Sequence, residues 1–103
     1  MAYRFQQFVN QHFLARKTVE AYAELLAVSP DYLNQTVKTV TGKTAHRIIA
    51  DRILLEAKKL LIYSDLTIAE IADYLGYTEP THFGRFFRTY LGLSPLAWRQ
   101  QQQ

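Results

Sequence analysis

TIAEIADYLGYTEPTHFGRFFRTYLGLSPLAWR, residues 67–99, carries the signals of several helix boundaries. Thr67 and Glu70 form a capping-box pattern, in which each side chain accepts a hydrogen bond from a backbone N–H at a helix start. Gly76 suits the left-handed conformation that follows many helices. Pro80 suits the first position of a second helix, where its missing N–H is not needed. The stretch therefore predicts two short helices joined by a tight turn, which is the helix-turn-helix arrangement.

The two predicted helices each have one apolar face. Aliphatic residues repeat at helical spacing on the first helix and aromatic residues on the second. They are Ile68, Ile71, Ala72 and Leu75, followed by Phe83, Phe86, Phe87 and Tyr90. The other side of the second helix carries Thr81, Gly84, Arg85 and Arg88. We expect the aromatic face to be buried and the face with the two arginines to be exposed.

The same pattern occurs twice in the chain. A shift of 49 residues aligns the first helix with Thr18, Val19, Tyr22, Ala23 and Leu26. A shift of 50 residues aligns the second helix and its end with Leu33, Val37, Val40, Gly42 and Thr44. The one-residue difference falls in the turn, where an insertion is best tolerated. A helical solenoid also repeats at such lengths but needs about three copies, so two helix-turn-helix units are predicted.

Length and composition restrict the class of protein. The chain has 103 residues, 49% of them hydrophobic, which suits one domain with a modest core. No apolar run approaches the roughly 20 residues needed to cross a bilayer, and no secretory leader is recognisable, so a cytoplasmic location is expected. The formal net charge of +3 permits an anionic partner. The absence of cysteine excludes disulfides and thiolate metal sites.

Periodicity and caps together predict an all-α fold of seven helices. The first helix-turn-helix unit is expected at about 3–43 and the second at about 67–101, with a long linker helix at about 45–63. The first helix is expected to run from Tyr3 to Ala15. The third should begin after a Ser29 cap, direct Leu33, Val37 and Val40 inward, and stop at Gly42. Residues 100–103 are expected to fray.

The linker helix holds an apolar stripe without Gly or Pro. Its members are Ile48, Ile49, Ile53, Ala57, Leu60 and Leu61. About nineteen residues span about 28 Å, which is close to the ~34 Å between successive major-groove faces on one side of B-DNA. The second helix of each helix-turn-helix pair is called a reading helix below. The linker helix could hold the two reading helices about one turn of DNA apart. Arg52 and Glu56 on this helix have the spacing of an ion pair.

The outward residues of the two reading helices match at the offset of 50. Asp31, Asn34, Gln35 and Lys38 correspond to Thr81, Gly84, Arg85 and Arg88. Asn, Gln and Arg can pair with adenine or guanine edges in the major groove, and Arg85 is the best candidate for a base contact. Lys38 and Arg88 lie farther along their helices and are expected to contact phosphates. Asp31 could accept from cytosine or stabilise the helix dipole.

Other functions have less support in the residues. The polar faces could be ordinary solvated surfaces, but their duplication favours nucleic-acid binding. His12, His46 and His82 lie on three different helices without metal-site spacing, and no phosphate loop or nucleophile motif occurs. No catalysis, metal or cofactor is therefore expected. A protein-docking module that kept the fold and lost DNA binding is one alternative; a helical fragment of a repair methyltransferase is another, disfavoured by the missing cysteine.

The chain resembles the C-terminal domain of the AraC/XylS family of bacterial transcription regulators over almost its whole length. In the second half the resemblance lies in Ile71, Ala72, Gly76, Tyr77, Phe83, Arg85, Phe86, Phe87, Arg88, Gly92, Ser94, Pro95, Trp98 and Arg99. In the first half it lies in Ala23, Ser29, Leu33, Lys38, Gly42, Arg52, Ala57 and Leu61. Residue types and gaps agree across both units, so the resemblance is specific.

The resemblance implies that both reading helices enter adjacent major-groove segments of double-stranded promoter DNA. It implies base reading at Asp31, Asn34, Gln35, Pro80, Thr81, Gly84 and Arg85. Expected phosphate contacts are Lys38, Arg88, Thr18, Thr67, Lys43 and Arg47. The family's activators also contact RNA polymerase, and most members carry an effector-binding and dimerising domain. The chain is thus expected to be either a stand-alone regulator or, preferably, the excised C-terminal domain of a larger one, with no membrane partner.

Overall fold

A computed structural model describes residues 1–103 and has seven helices and no strands. The helices are α1 (Ala2–His12), α2 (Val19–Leu26), α3 (Pro30–Thr41), α4 (Ala45–Tyr63), α5 (Ile68–Tyr74), α6 (Pro80–Leu91) and α7 (Pro95–Gln101). The expected all-α fold with seven helices is confirmed. Contacts divide the chain into two units, residues 1–53 and 54–103, and the boundary falls within α4.

Aliphatic and aromatic side chains of α1, α2 and α3 form the core of the first unit. Phe5 and Val9 of α1, Tyr22 of α2 and Leu33 of α3 are each at most 1% exposed. The Phe5 and Tyr22 rings meet edge to face with centroids 5.6 Å apart. The Tyr22 hydroxyl donates to the Arg16 carbonyl at 2.8 Å, and burial raises the pKa of Tyr22 to about 12. The Tyr22 hydroxyl therefore remains protonated, and its hydrogen bond is made within the protein.

An aromatic cluster fills the core of the second unit. Phe83 and Phe87 on α6 are fully buried, and their ring centroids are 5.9 Å apart. Tyr77 lies against Phe83 at 5.6 Å, and Trp98 of α7 meets Phe87 edge to face at 5.8 Å. Trp98 is half-buried, so its indole closes the edge of the cluster.

The turn from α2 to α3 and the turn from α5 to α6 begin in the same way. Ala27 (φ 57°) and Gly76 (φ 90°) both adopt the left-handed conformation. The next residue then donates back to the helix, from Val28 to Ala23 and from Tyr77 to Ala72, at 3.0 Å in each case. These bonds satisfy carbonyls that the helix end leaves without partners. The extra residue of the second unit lies after this point, before α6.

Local capping signals are confirmed where the sequence marks them. Thr67 and Glu70 form both bonds of the capping box, at 3.1 and 2.9 Å. The Ser29 hydroxyl accepts from the Tyr32 N–H, and the Ser94 hydroxyl accepts from the Ala97 N–H. The starts of α3, α5 and α7 are therefore determined by residues within one turn.

Helix ends and one inward residue differ from the sequence-based expectation. α1 ends at His12 and not at Ala15, because the following residues form a turn in which the Ala15 N–H donates to the His12 carbonyl three residues earlier. α7 extends to Gln101, past the start of the expected fraying. Val40 is 69% exposed and not inward. The buried row of α3 follows i, i+4 spacing from Leu33, so half-buried Thr41 takes the next place in it.

The expected pair between Arg52 and Glu56 does not form. Arg52 donates instead to the Asn10 side chain at 3.1 Å, and its guanidinium lies 4.0 Å from the centroid of the Phe13 ring. Glu56, which is 7% exposed, pairs with Lys59 at 3.4 Å. A carboxamide and an aromatic face from α1 and its end therefore replace the local carboxylate as partners of Arg52.

Arg99 ties α7 to the carboxyl end of α4. Its Nε donates to the Leu61 carbonyl at 2.9 Å, and one terminal nitrogen donates to the Leu66 carbonyl at 2.7 Å. The other terminal nitrogen lies 3.4 Å from the carbonyls of Leu60 and Ser64. The last carbonyls of a helix lack intrahelical partners and carry the negative end of its dipole. A single guanidinium therefore stabilises the α4 end and the connection to α5.

Replacing Arg99 by alanine should lower the free energy of unfolding by about 1.5–3 kcal/mol, because several carbonyls lose a charged donor. Urea denaturation followed by circular dichroism measures the change. Arg88→Ala is the matched control, since Arg88 is exposed on α6 and should shift stability by less than about 0.5 kcal/mol. Equal stabilities of the two variants would show that the Arg99 bonds contribute nothing.

Candidate nucleic-acid interface

Two buried side chains anchor each reading helix. Leu33 and Val37 of α3, and Phe83 and Phe87 of α6, have no exposed surface. These pairs correspond at an offset of 50, and the burial classes of residues 31–42 match those of 81–92 at every position except Val40 and Tyr90. The opposite faces of α3 and α6 are consequently presented to solvent in the same way. This duplicated exposure is the main geometric feature of the site.

On α3 the structure exposes three of the four predicted outward residues. Asp31, Gln35 and Lys38 are exposed, and Asp31 lies in the first turn, where a carboxylate is favourable. Asn34 is half-buried, and its Oδ1 accepts a hydrogen bond from the Ala45 N–H at 3.1 Å. Gln35 therefore presents a free side-chain amide outward, whereas the Asn34 oxygen already has a partner within the protein.

On α6 the predicted outward residues are cationic or small. Pro80, Thr81, Arg85 and Arg88 are exposed. Gly84 is half-buried, and a Cβ placed on it would meet no atom within 4 Å. The exposed face of α6 thus combines two guanidinium groups with a site where the backbone is open to close approach.

Two threonines on the same faces were not among the predicted residues. Thr39 and Thr89 are exposed and correspond at the offset of 50. Each hydroxyl donates to a backbone carbonyl four residues earlier, at Gln35 and Arg85 respectively, at 2.8 Å. An apolar contact with a thymine methyl group is a common use of a threonine methyl in the major groove. Their identity at the two matched positions is the sequence signal that could have found them.

The threonines expected to contact phosphate cap α2 and α5, the helices that precede α3 and α6. Thr18 and Thr67 are exposed, and their hydroxyls accept from the backbone N–H groups of Ala21 and Glu70. A hydroxyl that accepts one hydrogen bond can still donate another. The backbone and hydroxyl of Thr67 also hold the pKa of Glu70 below its ordinary value. Both threonines are thus oriented donors on the surface.

Lys43 and Arg47 share one carboxylate. Lys43 Nζ lies 3.1 Å from Asp51, and Arg47 Nε lies 2.9 Å from it. Partial burial opposes ionisation of Asp51, but these two partners together hold its pKa below its ordinary value. Sequence reasoning missed Asp51, although it lies four residues after Arg47, at ion-pair spacing. The two cations are clustered beside the start of α4.

The remaining candidate groups do not assemble into a further site. His12, His46 and His82 lie on α1, α4 and α6, and no three His, Asp or Glu side chains are placed to hold a metal ion. None of the seven helices has the length and apolarity required to span a membrane.

A family model described as a helix-turn-helix domain matches residues 22–101 of the chain. Among curated relatives, the activator RhaS of Escherichia fergusonii is 33% identical over 93 residues, covering 90% of this chain and 34% of RhaS. The regulator YobQ of Bacillus subtilis is 30% identical over 92 residues, covering 89% of this chain and 38% of YobQ. The chain therefore spans about a third of the length of these relatives.

Solved structures of similar fold include two DNA-binding or C-terminal domains. The C-terminal domain of AraT from Geobacillus stearothermophilus has a TM-score of 0.87 and 32% identity, covering 97% of this chain and 84% of that one. The DNA-binding domain of AdpA, solved with a target DNA, has a TM-score of 0.82 and 25% identity, covering 97% of this chain and 90% of that one. With the family model matching most of its length, the chain belongs to the AraC/XylS family of transcription regulators, as a DNA-binding helix-turn-helix domain.

Proposed function

We propose that this domain binds double-stranded promoter DNA sequence-specifically, with α3 and α6 in adjacent major-groove segments. The observation that carries the proposal is the repeated exposure pattern of α3 and α6, since each helix buries one face and presents polar groups on the other. The major groove of B-DNA admits one α-helix. The AdpA domain, which was solved with a target DNA, supports DNA binding by this fold.

Base reading is assigned to the exposed positions of the two helices. Arg85 can pair with both acceptors of a guanine, and Gln35 can pair with the adenine edge. The smaller side chains at positions 80, 81 and 84 would let the α6 backbone approach the groove closely. Asp31 would accept from a cytosine amino group. Thr39 and Thr89 would add methyl contacts at the edges of these surfaces.

Phosphate contacts are assigned to the cations and oriented hydroxyls around the reading helices. Lys38 and Arg88 lie one turn beyond the main base readers and would contact the backbone. Lys43 and Arg47 would exchange Asp51 for phosphate on binding, because their carboxylate partner is exposed enough to be displaced. Thr18 and Thr67 would donate their hydroxyl protons to phosphate oxygens.

The domain would act within a longer cytoplasmic regulator. Its coverage of about a third of RhaS and YobQ, and its similarity to a C-terminal domain of AraT, support an additional effector-binding and dimerising domain. RhaS is a transcriptional activator, which supports a role in activation. Contact with RNA polymerase is the mode of activation that we propose. Footprinting on bound promoter DNA tests the contact: polymerase should strengthen the domain's protection, and an unchanged footprint would exclude it.

Selection of bound duplexes from a random library tests the DNA-binding mode directly. Two enriched sequence elements with centres about 10 base pairs apart are expected, one for each reading helix. A single enriched element would exclude simultaneous reading by α3 and α6. Absence of any enriched duplex would instead favour a protein-docking function.

Arg85→Ala should weaken binding and relax the preference at one base pair by about 1–3 kcal/mol, because a bidentate contact to guanine is lost. The change is measured by repeating the library selection and by titrating single-substituted duplexes. Arg88→Ala is the matched control on the same helix and should leave the preferred sequence unaltered. Identical preferences in the Arg85 variant and the parent protein would remove Arg85 from base reading.

Lys38→Ala should weaken binding to all duplexes about equally. It should also reduce the magnitude of the slope of log K against log salt concentration by about 0.9, the value for one phosphate contact. Fluorescence anisotropy at several salt concentrations measures the slope. An altered sequence preference would contradict a phosphate role for Lys38 and place it among the base readers.

Asp51→Asn should strengthen DNA binding by up to about fivefold at low salt, since Lys43 and Arg47 no longer have to leave a partly exposed carboxylate. The same anisotropy titration measures the effect. Asp73→Asn serves as the control because Asp73 is an exposed acid on α5 with no ion pair to Lys43 or Arg47. An equal gain in both variants would mean that only the overall charge had changed, and that Asp51 does not restrain the two cations.

A further inference from the structure

The first N–H of α4 has one partner, and that partner comes from the reading helix. Residue Ala45 is fully buried, so water does not reach its N–H, and the first N–H groups of a helix have no intrahelical acceptor. The Asn34 Oδ1 accepts from this N–H at 3.1 Å. The neighbouring cap is separate, because the Thr44 hydroxyl accepts from the Arg47 N–H at 3.1 Å.

The second unit has neither half of this hydrogen bond. At the offset of 50, Asn34 corresponds to Gly84 and Ala45 corresponds to Pro95, which is buried. Glycine has no side-chain acceptor and proline has no N–H to donate. The surrounding cap is nevertheless repeated, since Ser94 caps α7 as Thr44 caps α4. Donor and acceptor are therefore present together in one unit and missing together in the other.

We infer that Asn34 is a positioning residue that holds the reading helix α3 against the start of α4, and is not a base reader. A carboxamide reads adenine by accepting and donating at once, and the oxygen needed for accepting already binds a buried donor that has no other partner. Losing that acceptor would leave the Ala45 N–H unsatisfied. The effect of Asn34 on DNA rests on the proposed function, whereas its effect on stability does not.

A double-mutant cycle removes the acceptor and the donor of the first unit, separately and together. The double variant then lacks both groups, as the second unit does. Asn34→Ala should lower the melting temperature by about 4–8 °C, because it leaves a buried N–H unpaired. Ala45→Pro should also lower it, since the proline ring would occupy the position of the hydrogen that faces Asn34 Oδ1. The combination should recover most of the loss, because donor and acceptor are removed together and proline is favourable at the first position of a helix.

DNA binding by the same four proteins separates positioning from reading. Asn34→Ala should weaken binding to all selected duplexes by the same factor, and the double variant should restore the affinity with an unchanged preferred sequence. Gln35→Ala is the matched control, because Gln35 is the exposed neighbour on α3. It should alter the preference at one base pair without changing the melting temperature.

Two outcomes would overturn the inference. The first is an Asn34→Ala protein with an unchanged melting temperature and an altered preference at one base pair, which would make Asn34 a base reader. The second is a double variant that melts no higher than the less stable single variant, which would show that the hydrogen bond is not the reason for the loss. If the parent protein selects no duplex, the proposed function fails, and the melting cycle alone still decides the role of Asn34.

Discussion

The burial of two side chains one helical turn apart determines what each reading helix presents to a partner. Leu33 with Val37, and Phe83 with Phe87, have no exposed surface. Burial of a side chain of this size contributes about 1.5–3 kcal/mol. Rotation of α3 or α6 by one residue would expose both members of a pair and bury charged groups. Core packing therefore determines the direction of the polar face. Contacts made by the polar residues themselves are not needed for it.

The two units share this frame but stabilise and charge it differently. Aliphatic residues anchor α3, whereas an aromatic cluster closed by Trp98 anchors α6. The first unit has seven basic and four acidic residues and the second has five of each, so the net positive charge of the chain lies in the first unit. The exposed guanidinium groups of a reading helix nevertheless belong to α6. Under the proposed function, nonspecific attraction to phosphate would come mainly from the first unit, and guanidinium contacts to bases would come from α6.

Signals that act within one turn of helix were readable from the sequence, and signals that depend on distant partners were not. The capping box at Thr67 and the outward positions of Arg85 and Arg88 follow from local spacing. Arg52 took its partners from α1 and its end, about forty residues earlier in the chain, and i, i+4 spacing holds no information about them. The same limit applies to Asn34, whose helical position places it outward while a backbone donor eleven residues away engages its oxygen.

The contrast between positions 34 and 84 bears on which surface positions can change without loss of stability. A substitution at position 34 removes the acceptor of the buried Ala45 N–H. A Cβ placed at position 84 would meet no atom within 4 Å, so a larger side chain could fit there without displacing a neighbour. Replacing glycine within a helix changes the stability of the helix only modestly. Under the proposed function, the surface of α6 at position 84 could thus change without loss of folding stability, whereas a change at position 34 of α3 would also disturb the fold.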